Sequence, residues 1–396
     1  MEKSKRFIDG LKKLSEVDNL AGQEVIASLA GLTEDVGKYI VEFAFGEIYQ
    51  RKGLSLKQRE MITISCLLAQ GGTEPQLEVH INGSLNEFYQ PVASAGFTEI
   101  KLRPNALPEM GIDDVSLQTK LAGLPIEVPF FIQAMTGGSP TTAKLNRRLA
   151  TIARETGLAM AVGSQSVALK YPELADTFQV VRNENPHGLI LANLGADASV
   201  AAAKKAVAML DADVLQLHIN VAQELVMPEG DRSFNYLEQI KAIQAAVSVP
   251  VVVKAVGAGM TRADALRLQS VGIRYIDVGG KGGTNFVQIE NARRSEKDFA
   301  FLTDLGLTTV ESLKEVNGLG LSVTATGGIR TPADVIKSIA LGADNVGVAG
   351  YFLHQLLHHN DQEIIDLIER WKYQLRCLMV LLGVTKLADL SERQLR

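Results

Sequence analysis

From about residue 128 onward the chain alternates short apolar runs with longer amphipathic segments. Eight runs occur, at 128–133, 158–162, 189–193, 214–219, 249–254, 275–278, 321–326 and 345–349. Most are followed by apolar positions at helical spacing, such as Leu145, Leu149 and Ile152 after the first run, or Val335, Ile336 and Ile339 after the seventh. Near-continuous apolar strands alternating with helices predict a parallel sheet covered on both faces, and eight repeats fit a closed barrel better than an open doubly wound sheet. The expected class is α/β, a (β/α)8 TIM barrel preceded by a small all-α helical segment.

Residues 1–86 carry that segment, and the barrel is expected over 87–396. Val25, Leu29 and Leu32 begin one helical pattern, and Val36, Ile40, Phe43 and Ile48 continue another. Ser55 with Gln58 forms a capping-box start before Met61, Ile62, Ile64, Leu67 and Leu68, and Gly71-Gly72 ends that stretch. Thr73 and Gln76 repeat the device ahead of Leu77, Ile81 and Leu85. No Pro/Gly/Ser-rich linker separates the helical segment from the barrel region.

A barrel of this type concentrates its chemistry at the C-terminal strand ends, with phosphate commonly held after strands seven and eight. The seventh run ends in Ala325-Thr326-Gly327-Gly328-Ile329-Arg330 and the eighth in Gly347-Val348-Ala349-Gly350. Glycines there admit backbone N–H groups to an anion, a helix start adds partial positive charge, and Arg330 can reach the same ligand. The first run ends in Ala134-Met135-Thr136-Gly137-Gly138, the second in Gly163-Ser164-Gln165 and the third at Asn193. Lys254 closes the fifth run, and burying it demands an anion or dipole beside it. In the fourth run alternation sets Gln216, His218 and Asn220 on one face, either the barrel interior or the helix layer, so His218 reads as a pocket residue or a satisfied core histidine. Glu224 is a candidate ligand for a hard cation such as magnesium, or a surface carboxylate.

Composition narrows the partners. With 46% hydrophobic and 21% charged residues, a formal charge of −5 and a pI near 5.8, the chain reads as a soluble protein acting on a small molecule, not on nucleic acid or a membrane. Cys66 and Cys377 are far apart and carry no zinc-ligand spacing, which fits a reducing cytoplasm. No apolar window of about 18 residues is present to span a membrane.

Taken together, AMTGG at 134–138, GSQ at 163–165, NLG at 193–195, QLHIN with QELVMPEGDR within 216–232, VVVK at 251–254, GGT at 282–284 and ATGGIR at 325–330 resemble the type 2 isopentenyl-diphosphate isomerases over residues 88–396. The resemblance implies a flavoprotein isomerase of isoprene biosynthesis that binds FMN, uses NADPH as reductant and magnesium, and interconverts isopentenyl and dimethylallyl diphosphate. By the same resemblance Ala134, Met135, Thr136, Ser164, Asn193, Lys254 and Thr284 surround FMN, and Gly328, Ile329, Arg330, Ala349 and Gly350 surround its phosphate. Gln165 and Gln223 would contact substrate, Gln223 and His218 would serve catalysis, and Glu224 would hold magnesium. A homo-oligomer is expected.

Three positions depart from that family's pattern. Its opening Arg-Lys-Asp-Glu-His motif, which holds the substrate diphosphate, corresponds here to Gln76-Leu77-Glu78-Val79-His80, so both cations are lost and an impaired isomerase is implied. KEVG becomes Lys254-Ala255-Val256-Gly257, and SGRGGT becomes Gly279-Gly280-Lys281-Gly282-Gly283-Thr284. Residues 1–86 resemble instead a truncated carboxymuconolactone decarboxylase-like segment, through Leu56–Glu60, Gly71–Leu77, His80 and Asn82–Asn86, which makes Glu60, Cys66 and His80 conceivable site residues. Two alternatives stay open: a catalytically weak flavin-binding or assembly protein, and a decarboxylase-like enzyme carrying a passenger barrel.

Overall fold

The computed structural model describes residues 4–15, 38, 40–51, 94–294 and 296–396. The chain divides into two compact units, Met1–Gln90 and Pro91–Arg396. In the first, residues 5–15 form a helix, Ile40–Phe45 a π-helical turn and Ile48–Gln50 a 3-10 turn. Leu14, Val41 and Phe45 bury together, with Phe7, Leu11 and Tyr49 against them. Phe43, placed by α-helical spacing beside Ile40, is instead 55% exposed. The wider π turn, closed by Gly46 N donating to Val41 O at 2.8 Å, rotates it off the buried face. Glu60, Cys66 and the stretch from Gln76 to His80 lie outside the described residues.

In the second unit, after 3-10 turns at Phe97–Glu99 and Ile112–Asp114, comes a hairpin absent from the sequence expectations. Strand β1 (Thr119–Leu121) pairs antiparallel with β2 (Leu124–Ile126), and Ala122 and Gly123, both at positive φ of 50° and 84°, form the tight turn between them. The barrel comes next: β3 (Phe130–Ile132), β4 (Met160–Ala161), β5 (Ile190–Gly195), β6 (Val214–Ile219), β7 (Val251–Ala255), β8 (Tyr275–Asp277), β9 (Ser322–Thr326) and β10 (Asn345–Val348). These eight strands close in sequence order, β10 returning to β3, and every neighbouring pair is parallel. Each apolar run of the sequence overlaps one of them, β5 and β7 running one or two residues past the end, so the closed barrel stands and the open sheet falls.

Strand alternation sorts the side chains into two cores. Phe130, Ile132, Leu215, Leu217, Val251 and Val253 face outward into the layer shared with the helices, where helix Asp361–Leu382 brings Trp371 to 5.6 Å of the Phe130 ring. Phe131, Ala161, Leu191, Val214 and Val252 face inward and pack with Leu121, Ala122 and Ile126 of the hairpin. The hairpin therefore stoppers the N-terminal mouth of the barrel with apolar side chains. Each large one buried contributes about 1.5–3 kcal/mol. At that end Asn345 is bonded to Thr324 and to Lys120 O of the hairpin, and the other inward polar residues lie toward the C-terminal end. Among the described residues no helix is long and apolar enough to cross a membrane.

Candidate active site

Register aligns the inward polar residues. His218 stands opposite Lys254, Lys254 opposite Asp277 and Asp277 opposite Thr324, while Asn193 stands opposite Gln216. Burial of Lys254 called for a partner, and the structure supplies Asp277, whose side chain is fully buried with Oδ2 at 3.5 Å from the Lys254 ammonium. The ammonium also donates to Thr326 Oγ1 at 3.1 Å and to Ala255 O at 3.2 Å. Asp277 accepts from the Thr326 hydroxyl at 2.5 Å, Gly279 N at 3.0 Å and Gln133 Nε2 at 2.8 Å. Burial pushes the Asp277 carboxyl above the ordinary range, and the Lys254 charge is the first influence opposing it.

Alternation resolves the choice left open for His218: it faces the barrel interior. Its Nδ1 lies 2.9 Å from Asn193 Oδ1, and the Asn193 amide is itself oriented by donating to Gln216 Oε1 at 3.4 Å. An amide oxygen only accepts, so Nδ1 carries the proton and Nε2 presents a lone pair. Burial, then the Lys254 charge, lower the imidazole to about 4, and Glu224 opposes them. The unfolded chain takes up this proton near pH 6.5 and the folded one only near 4, so stability is lost as pH falls through that window, by at most about 3 kcal/mol. Urea unfolding of wild type and His218→Gln checks this: the wild type should lose stability from pH 7 to 4.5 by more than the variant. Parallel losses would refute a neutral histidine.

Around this centre the loops fall into place unevenly. Gly327 and Gly328 adopt positive φ of 109° and 72°, and a Cβ on Gly328 would approach Gly282 O to 2.5 Å. Arg330 Nη2 donates to the same Gly282 O at 2.8 Å, knitting the loops after β8 and β9, with Ile329 buried behind them. Helix Gly350–His358 begins after Ala349 with no side-chain cap, and a Cβ on Gly350 would meet nothing within 4 Å. The half-buried Ala134 and Met135 lead to Thr136, whose hydroxyl donates to Asn146 Oδ1 at 2.6 Å, while Ser164 Oγ lies exposed 3.0 Å from Ser166 Oγ. Thr284 is half-buried beside Gly257.

Gln165 is turned elsewhere. Fully buried, it donates to Ala206 O at 3.0 Å and to Met209 Sδ at 3.4 Å, and its Oε1 accepts from Asn193 N at 3.0 Å. Both amide donors are engaged inside the protein, and the side chain ties β5 to helix Val200–Leu210.

After β6 a second polar chain forms. Asn220 Nδ2 donates to Gln223 Oε1 at 3.2 Å and Glu224 Oε1 at 2.8 Å, and Glu224 Oε2 accepts from Asp231 N at 3.0 Å. Gln223 Nε2 in turn donates to Glu290 Oε1 at 3.1 Å, and Arg293 pairs with Glu290 at 2.6 Å and with Glu229. Arg232 is occupied by the carbonyls of Glu224, Met227 and Gly230. Lys281 is held at 2.7 Å by Asp304, and Ala255 is buried.

Comparison with known proteins gives the family. Residues 182–396 match the family described as FMN-dependent dehydrogenase, and residues 34–87 match the carboxymuconolactone decarboxylase family. The isopentenyl-diphosphate delta-isomerase of Lacticaseibacillus paracasei is 50% identical over 306 residues, covering 77% of this chain and 89% of that protein. The chain belongs to the isopentenyl-diphosphate delta-isomerase family. The protein of that name from Listeria welshimeri is 45% identical over 310 residues, covering 77% of this chain and 87% of that one. Among solved structures, the flavin-binding domain of baker's yeast flavocytochrome b2 aligns with a TM-score of 0.59 at 16% identity over 86% of this chain and 90% of that one. (S)-mandelate dehydrogenase from Pseudomonas putida aligns at 0.57 and 17% identity over 76% and 88%. At these identities both speak for the barrel fold alone.

Sequence reasoning overlooked Asp277, Gln133, Glu290 and Arg293. For Asp277 the signal was present: an acid inside the apolar run at 275–278 is as costly to bury as Lys254. Glu290 and Arg293 carry no such signal, because their helix reads as an ordinary polar face.

Proposed function

We propose that this chain binds FMN at the C-terminal mouth of its barrel and interconverts isopentenyl and dimethylallyl diphosphate. The observation that carries the reading is the assembly at one mouth of a paired cation, Lys254, a neutral imidazole, His218, and glycine-lined backbone at 327–328 and 350 suited to a phosphate. These residues fit the cofactor. Gly328, Ile329, Arg330, Ala349 and Gly350 would take its phosphate, and Ala134, Met135, Thr136, Ser164, Asn193, Lys254 and Thr284 its ring and ribityl chain. Reduced flavin, with NADPH as the source of reducing equivalents, supplies the acid/base group for the alkene.

The remaining steps belong to the chain's own side chains. Gln223, its carboxamide fixed between Asn220 and Glu290, orients the substrate. His218, held in the Nδ1–H form by Asn193, offers Nε2 as an acceptor that stays neutral at physiological pH. Glu224 would hold magnesium, shared with substrate phosphate oxygens. The described residues contain no cluster of three or more His, Cys, Asp or Glu, so substrate phosphate oxygens would have to share the cation with Glu224.

A weaker reading, a flavin protein without turnover, draws on Gln76 and Leu77 in place of two cations and on the engagement of Lys281 with Asp304. One experiment decides between them. The purified protein is examined for flavin absorbance and then incubated anaerobically with isopentenyl diphosphate, magnesium and NADPH. Formation of dimethylallyl diphosphate supports isomerisation, yellow protein without product supports the weaker reading, and colourless protein that takes up no added FMN sinks both.

A further inference from the structure

Asp277 is a fully buried carboxylate to which neither the sequence motifs nor the proposed chemistry gives a role. It lies one strand over from Lys254, at the same register. Its two oxygens are used differently. Oδ1 accepts from Gly279 N at 3.0 Å and from the Thr326 hydroxyl at 2.5 Å, and Oδ2 accepts from Gln133 Nε2 at 2.8 Å and faces the Lys254 ammonium at 3.5 Å. Thr326 has a single hydroxyl proton. Since that proton goes to Asp277, the hydroxyl's lone pair is what receives Lys254 Nζ at 3.1 Å. The chain from ammonium through hydroxyl to carboxylate thus has one direction only.

Gln133 is fixed in the same sense. Its Oε1 accepts from Ala134 N at 2.8 Å, which leaves Nε2 to face the carboxylate. Besides the Lys254 ammonium, three neighbours therefore present donors to Asp277, and none presents an acceptor. A neutral side chain cannot replace the carboxylate without leaving a donor unpaired.

We infer that Asp277 is a positioning residue that fixes the place and balances the charge of the Lys254 ammonium, and thereby sets how strongly the barrel mouth favours reduced over oxidised flavin. This rests on the FMN reading proposed for the barrel mouth. Reduction adds negative charge to a flavin, and the site that meets it carries one cation balanced by one buried anion. Removing the anion leaves the cation's field uncompensated in a medium of low dielectric, where a single charge acts strongly.

The test is the midpoint potential of bound FMN in wild type and Asp277→Asn, measured on protein that retains the cofactor. The variant is expected to favour reduced flavin at least tenfold more than wild type does, a rise of about 30 mV for a two-electron couple. A carboxylate that served packing alone would lower stability and leave the potential of the folded, loaded protein unchanged, and that result overturns the inference. Should Asp277→Asn fail to fold or to hold flavin, Thr326→Val decides. It keeps both charges and removes the hydroxyl between them that fixes the ammonium's place, so a smaller shift is expected and an unchanged potential overturns the inference. Wild-type protein that takes up no FMN overturns the FMN reading and this inference with it.

Discussion

Lys254→Met should lose about 3–5 kcal/mol of stability at pH 8 and much less near pH 4. Methionine replaces the lysine stem at similar volume, so no cavity opens and the loss is electrostatic. It leaves Asp277 fully buried with three hydrogen-bond donors and no counter-charge. Burial already raises this carboxyl above its ordinary range, and the Lys254 charge is the first influence holding it down. Without that charge the folded pKa rises further. A folded state that keeps a proton the unfolded chain gives up near pH 3.9 binds more protons than the unfolded state above that pH. Stability must then fall as pH rises, from the unfolded value up through the folded one. Urea unfolding at pH 4.5 and pH 8 checks this, with a larger midpoint difference between wild type and variant at the higher pH. An equal loss at both would mean that the pair contributes packing, not charge.

The pairing also shows where the sequence could be read and where it could not. All eight strands were legible because a strand buried on both faces must be apolar nearly throughout, and the runs betray this whatever their exact ends. Lys254 was legible as a charge needing a partner for the converse reason, since a charge inside such a run has to be answered. Asp277 gives that answer from the next strand, and only register, which the sequence does not carry, brings the two together. The hairpin of β1 and β2 left no trace: its strands are three residues long, Pro125 lies in one, and its turn is Ala-Gly in place of Asn-Gly. The family motif brought out Gln165 but not its direction, since after a two-residue strand the side chain turns to the helix layer and donates to Ala206 O. Gln223 and Glu224 were singled out by motif, but their attachment to Glu290 and Asp231 is tertiary.

That attachment shapes the expected outcome for Glu224→Gln. Isomerase turnover should fall about 10²-fold, with FMN uptake and the urea midpoint nearly unchanged. The substitution keeps the oxygen that accepts from Asn220 Nδ2 at 2.8 Å and replaces the one that accepts from Asp231 N at 3.0 Å, so one exposed hydrogen bond is lost. The loop itself stays fastened, because Arg232 binds the backbone carbonyls of Glu224, Met227 and Gly230, none of which the substitution touches. What disappears is the negative charge that the proposed magnesium requires beside the substrate's phosphate oxygens. A weakened metal site, unlike a broken scaffold, responds to mass action, so raising the magnesium concentration should recover part of the lost rate. Wild-type turnover in the variant would remove Glu224 from the metal site. Lost turnover with magnesium dependence unaltered would assign the carboxylate to holding Asn220 and Gln223 in place, and the cation would then have to be sought elsewhere along the mouth.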